Sequence, residues 1–101
     1  MGDNRNMFVG TGLVDNYTTG TTGRGDQVCS FTLNMTEMGR QSWVRCNVYG
    51  LLADYCIKNV KEKSEVFVSG KIMNRRTRDK QLAFTEIRCQ DVLLLNEPYN
   101  E

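Results

Sequence analysis

The residues with chemistry to offer are concentrated in one short stretch. Positions 42–50 read SWVRCNVYG. Side chains alternate across a strand, so Val44, Cys46 and Val48 share one face and Trp43, Arg45, Asn47 and Tyr49 share the other. An indole, a guanidinium, an amide and a phenol do not make a core face. They suit a platform that stacks planar rings and pairs charge with a polyanion backbone. Stacking of a base on an aromatic ring contributes about 1–3 kcal/mol and is blind to sequence, because every base has a π-face. The structural alternative is that Trp43 and Tyr49 cap one end of the fold or fill a dimer interface.

Cationic residues form a second candidate group. Arg75, Arg76, Arg78 and Lys80 fall within six positions, Lys58, Lys61 and Lys63 are more loosely grouped, and Arg40 sits in the turn preceding SWVRCNVYG. Such runs contact phosphates or simply solvate a face. The net charge of +1 does not decide between the two.

Other chemistry is poorly supported. There is no histidine, which removes the commonest general base and the usual partner of a Ser or Cys nucleophile. The carboxylates are scattered, so we read no enzyme here. Cysteines 29, 46, 56 and 89 lack CxxC spacing, which argues against a metal site and for reduced thiols. No cofactor is expected. No apolar run approaches the ~20 residues that span a bilayer. MGDNRNMF lacks the apolar core of a signal peptide, so a cytoplasmic protein is expected.

The elements that must position these groups can be read from periodicity. MFVGTGLV (7–14) is a first strand interrupted by Gly10 and Gly12, and DNYTTGTTGRGD (15–26) reads as a loop or turn. QVCSFTLNMT (27–36) alternates as a half-buried strand with Cys29, Phe31, Leu33 and Met35 inward. EMGRQ (37–41) turns into the third strand. LLADYCIKNV (51–60) carries the stripe Leu51, Leu52, Tyr55, Cys56 and Val60 of a short helix. SEVFVSGKIM (64–73) returns to period two with Val66, Val68 and Ile72 inward and a bend at Gly70. NRRTRDKQ (74–81) is a basic hairpin connection, and LAFTEIRCQDVLLL (82–95) is a last strand with an irregularity near Gln90 and Asp91.

Five strands with one helix between the third and fourth, and glycine bends, predict an all-β fold. The expected architecture is a five-stranded Greek-key OB-fold barrel in one domain over residues 1–97, with a short end at 98–101. OB-folds bind oligonucleotides across strands 2 and 3 and the loops between strands 1 and 2 and between 4 and 5. Trp43, Arg45, Asn47 and Tyr49 lie on strand 3, and the Arg75–Lys80 run lies between strands 4 and 5. These features converge on one groove.

Three segments also carry a family resemblance over roughly residues 6–95: WVRCNVYGLLAD (43–54), SEVFVSGKI (64–72) and TEIRCQDVLLL (85–95). Together, in order and at their separations, they resemble bacterial-type single-stranded DNA-binding proteins, in a short, tailless or phage- or plasmid-like form. The resemblance implies sequence-blind binding and protection of single-stranded DNA in replication, recombination or repair, by a homotetramer of OB-folds, at the nucleoid or replication sites. It carries the stacking role to Trp43 and Tyr49 and the mobile basic hairpin to Arg75, Arg76, Arg78 and Lys80. Arg45, Asn47 and Arg40 are assigned from face and loop position.

Departures from the family pattern are specific. Thr77 stands where the 4–5 hairpin often holds a further tryptophan, Met38 where the 2–3 hairpin holds an aromatic, and Lys63 where a glycine precedes strand 4. Fewer rings imply weaker binding or a smaller site. The sequence ends at NEPYNE, ahead of the acidic tip that recruits partners in this family; it is either a naturally tailless form or a domain cut from a longer chain, and tail-mediated recruitment is not supported by these residues. Two alternatives stay open: a dimeric primosome-type accessory protein bridging replication-restart factors, and an OB module that docks a partner protein.

Overall fold

The computed structural model describes residues 4–76 and 83–98, with the side chains of 75, 76, 83 and 84 excepted. Five strands form a closed barrel: β1 (Phe8–Thr21), β2 (Gln27–Glu37), β3 (Arg40–Tyr49), β4 (Glu65–Arg76) and β5 (Ala83–Asn96). One helix, α1 (Gly50–Asn59), lies between β3 and β4. The order around the barrel is β1-β2-β3-β5-β4, with β4 closing back onto β1. This is the expected OB-fold.

Closure depends on the length of β1. Its first half pairs with β4, from Phe8↔Gly70 to Leu13↔Glu65, and its second half pairs with β2, from Leu13↔Asn34 to Thr21↔Gln27. One strand therefore serves two neighbours and changes partner at Leu13. The segment 15–21, expected as a loop, is strand. Its polar, Thr-rich composition hides the ladder, and a register shift between Asp15 and Thr18, with Asn16 at φ 53°, breaks the alternation that would reveal it. Only residues 22–26 turn the chain.

The alternations of β2 and β3 build the core. Cys29, Phe31 and Leu33 from β2, and Cys46 and Val48 from β3, are fully buried, joined by Val14, Val66, Val68, Ile87 and Val92. Helix α1 plugs one end of the barrel with Ala53 and Cys56, while Leu52 and Tyr55 pack at its margin. Two phenols fasten it: Tyr17 donates to the Cys56 carbonyl at 3.0 Å, and the Leu94 N–H donates to the Tyr55 hydroxyl at 3.2 Å. Leu51, placed by periodicity in the buried stripe, is 88% exposed. It begins the helix on the side turned away from the barrel, and Ala53 takes the inward position. All four cysteines are free thiols, Cys89 half-buried and the others buried.

Gly70 shows how β4 and β5 pass each other. A Cβ on it would stand 2.2 Å from the Arg88 carbonyl oxygen, too close for any side chain. The β4–β5 register skips between Ser69↔Asp91 and Gly70↔Cys89, so Gln90 is the extra residue of a bulge where the irregularity was expected. Beyond this point the hairpin leaves the barrel wall. The β1–β4 ladder ends at Phe8↔Gly70 and, among the described residues, is extended only by the Asn6 amide, which exchanges two 2.8 Å hydrogen bonds with the Ile72 backbone. Ile72, expected inward, is consequently 39% exposed, because its side of the hairpin is only partly covered.

Candidate nucleic-acid interface

The outer wall of β2, β3, β5 and β4 is a continuous polar and aromatic surface. On β3, Trp43 is 66% exposed and Tyr49 is 40% exposed, while Arg45 and Asn47 between them are half-buried. Their cross-strand partners on β2 are Asn34, Thr32, Ser30 and Val28 in the same order. On the other side, the short parallel pairing of β3 with β5 sets Arg45 beside Glu86 and Asn47 beside Arg88. The β4–β5 ladder then adds Met73 opposite Glu86 and Lys71 opposite Arg88. The face opposite to Val44, Cys46 and Val48 thus gathers the four β3 residues expected there.

Several of these side chains are held rather than loose. The Arg88 guanidinium lies over the Tyr49 ring, 5.5 Å from its centroid, a cation–π arrangement that orients both. Ser30 Oγ donates to Asn47 Oδ1 at 2.8 Å. Arg45 Nη1 donates to the Asn16 carbonyl at 3.3 Å, tying β3 to the bulge of β1.

Beneath Trp43 is a second polar group: Asp15, Asn16, Thr32, Asn34, Glu62 and Lys63. Asp15 pairs with Lys63 and accepts from Asn34 Nδ2 at 3.3 Å. The hydrogen bond and charge of Lys63 hold the Asp15 carboxyl below its ordinary value despite some desolvation. Lys63 sits at φ 72°, a left-handed backbone that favours glycine, and its side chain forms the ion pair with Asp15.

The other expected residues are placed differently. The β2–β3 turn is only Met38-Gly39, both at positive φ, flanked by the Glu37↔Arg40 pair. Two residues at positive φ define the tight hairpin turn whose twist matches its strands. Arg40 is therefore strand, three residues from Trp43, and parity turns it to the opposite face. There it lines a depression with Met35, Glu37, Met38 and Ser42. Arg75 and Arg76 extend the β4 ladder opposite Phe84 and Ala83. Thr77, Arg78 and Lys80 lie outside the described residues.

Arg88, Glu86, Lys71 and Met73 were not among the expected site residues. Alternation places Arg88 and Glu86 opposite to buried Ile87, but nothing local in the sequence says that β5 runs beside β3.

Comparison with known proteins resolves what kind of barrel this is. The family model described as "Single-strand binding protein family" matches residues 3–95. The chain belongs to this family. It is also similar to "Single-stranded DNA-binding protein 1" of Chlorobaculum tepidum, 33% identical over 88 aligned residues, covering 73% of this chain and 54% of the relative. The chain thus spans about half the length of the curated relative it matches. Within the family match lie all of β1 to β4, α1 and β5 through Leu95, and with them the whole polar and aromatic wall. No helix among the described residues is long and apolar enough to cross a membrane.

Proposed function

We propose that this chain binds single-stranded DNA along the outer wall of β2, β3 and β5, and shields single strands exposed during replication, recombination or repair. The observation that carries this reading is Trp43, two-thirds exposed on a wall that also holds Tyr49, Arg45 and Arg88. Bases stack on the rings, and the guanidinium and ammonium groups of Arg45, Arg88, Lys71 and the Arg75–Lys80 run meet the phosphates. Asn47 adds an amide beside Arg88. Neither a catalytic step nor a cofactor is part of this reading.

Titration with oligo-dT tests it directly. Trp43 is the only tryptophan, so stacking on it is expected to quench the intrinsic emission. The apparent association constant is expected to fall with salt, with a log–log slope of about −0.7 for each phosphate neutralised. Absence of quenching at low salt would leave the wall as a docking surface for a protein chain. A flat salt response would remove the phosphate role of the basic residues.

We also infer self-association as a homotetramer. On β1, residues 8–12 pair with β4 only, leaving one edge of that half-strand open among the described residues. The adjoining outer face of β1, β4 and β5 exposes Val9, Leu13 and Leu93, with half-buried Phe67 between them. An open edge beside an apolar face is a template for pairing with a second chain. Leu93→Asp is expected to lower the mass measured by light scattering at a fixed protein concentration. An unchanged mass would place the contact elsewhere.

A further inference from the structure

Beyond the Tyr49 ring, the β4–β5 ladder holds a depression of about 370 Å³ lined by Lys71, Met73, Arg88, Cys89 and Gln90. Among the described residues no carboxylate lines it. We propose that it seats one base of the bound strand on the side of the Arg88 guanidinium turned away from Tyr49, so that the stacking path continues from β3 across β5 to β4. This rests on the reading of the wall as a single-stranded DNA surface, and adds to it a stacking plane that is not an aromatic ring.

Arg88 is placed for this by its neighbours. Its guanidinium lies over the Tyr49 ring, 5.5 Å from the centroid and within cation–π range, so one side of the plane is occupied and oriented. The residue is nonetheless exposed, which leaves the other side open. Arg88 and Met73 also line the adjoining hollow that holds Tyr49 and Asn47. These two side chains therefore divide the hollows, with Tyr49 on one side and Lys71, Cys89 and Gln90 on the other.

The lining suits one nucleotide. Unpaired bases stack on guanidinium planes as they do on aromatic rings, and the N–H groups at the guanidinium edge stay available to phosphate. Met73, 43% exposed, adds a flexible, polarizable thioether against the base. Lys71 stands directly opposite Arg88 on the β4–β5 ladder, and like charges so placed repel. A phosphate between them relieves that repulsion while the base it carries reaches the guanidinium plane. Stacking and phosphate contacts are indifferent to base identity, so the seat takes any base.

The test pairs a labelled dT oligomer with an abasic oligomer of the same length, which keeps the sugar–phosphate backbone and lacks the bases. Arg88→Lys retains the charge and loses the plane. By fluorescence anisotropy it is expected to lower dT affinity on the order of fivefold, the lower end of the stacking range, with abasic affinity and the salt slope unchanged. Met73→Ala is expected to weaken dT binding by less, again sparing the abasic oligomer. Lys71→Gln is expected to weaken both and to make the salt slope shallower by about 0.7. Because Arg88 also orients Tyr49, a dT oligomer carrying iodouracil locates the base directly: irradiation is expected to crosslink it to Met73 or Cys89 as well as to Trp43 and Tyr49.

Undiminished dT affinity in Arg88→Lys would overturn the proposal, as would an equal loss for the dT and abasic oligomers, which would make Arg88 a phosphate contact alone. Crosslinks confined to Trp43 and Tyr49 would also overturn it, leaving Arg88 as a support for the Tyr49 ring. Failure of the wild-type protein to bind dT at low salt would instead overturn the single-strand reading itself.

Discussion

Replacing Trp43 with alanine is expected to weaken oligo-dT binding by about 1–3 kcal/mol, the stacking contribution of one base. That corresponds to a loss of affinity between about fivefold and about 150-fold. The indole is 66% exposed, and the residue facing it across the ladder is Asn34, so its removal opens no cavity in the core. Stability should stay within about 0.5 kcal/mol of wild type, the usual range for an exposed site. Trp43→Phe keeps a smaller ring in place and is expected to recover part of the affinity. Fluorescence anisotropy of a labelled dT oligomer, alongside a thermal melt of each variant, checks both statements. An alanine variant with wild-type affinity and an intact melt would remove Trp43 from the binding surface.

Gly70→Ala should produce the largest loss of stability. The added Cβ would meet the Arg88 carbonyl oxygen at 2.2 Å and the backbone carbons of Arg88 and Cys89 at 2.9 Å. No side chain can swing away to make room, because all three contacts are backbone. Relief requires β4 and β5 to separate at the Gln90 bulge, and forced overpacking of this kind costs about 3 kcal/mol. The denaturant midpoint should fall with its slope unchanged. Gly20→Ala is the control: nothing lies within 4 Å of a Cβ there, so the midpoint should barely move. A wild-type midpoint for Gly70→Ala would show that the strands do not approach as described. Because Arg88 is the residue the new methyl displaces, the same substitution is also expected to disturb its seat over Tyr49 and weaken DNA binding.

The face of β3 carrying Trp43, Arg45, Asn47 and Tyr49 follows from the two-residue period of a pleated strand and needs no tertiary information. The same holds for Cys29, Phe31 and Leu33 on β2 and for Val66 and Val68 on β4, all fully buried. The helix after Gly50 follows from the change of period, and the Gln90 irregularity from the break in alternation along β5. Element order then restricts the topology to a small barrel.

What the local pattern could not supply concerns neighbours and coverage. Strand β1 runs on through DNYTTGT because two partners hydrogen-bond it in turn, and a ladder leaves no signature in a polar segment that buries little. Leu51 and Ile72 have the right character for a core but lie where no other element covers them, and burial depends on what packs opposite. Arg40 was assigned to a five-residue turn, whereas a two-residue turn makes it strand and so sends it to the far side of the hairpin.

Arg88 and Glu86 join Asn47 and Tyr49 through a parallel pairing of β3 with β5 that brings together residues about 40 positions apart. The amino-acid sequence by itself determined which side chains share a face of each strand, since that is a matter of alternation along one chain. Only the tertiary structure decided which faces adjoin. Adjacency is set by barrel closure, and closure by the partner switch at Leu13 and the close passage at Gly70.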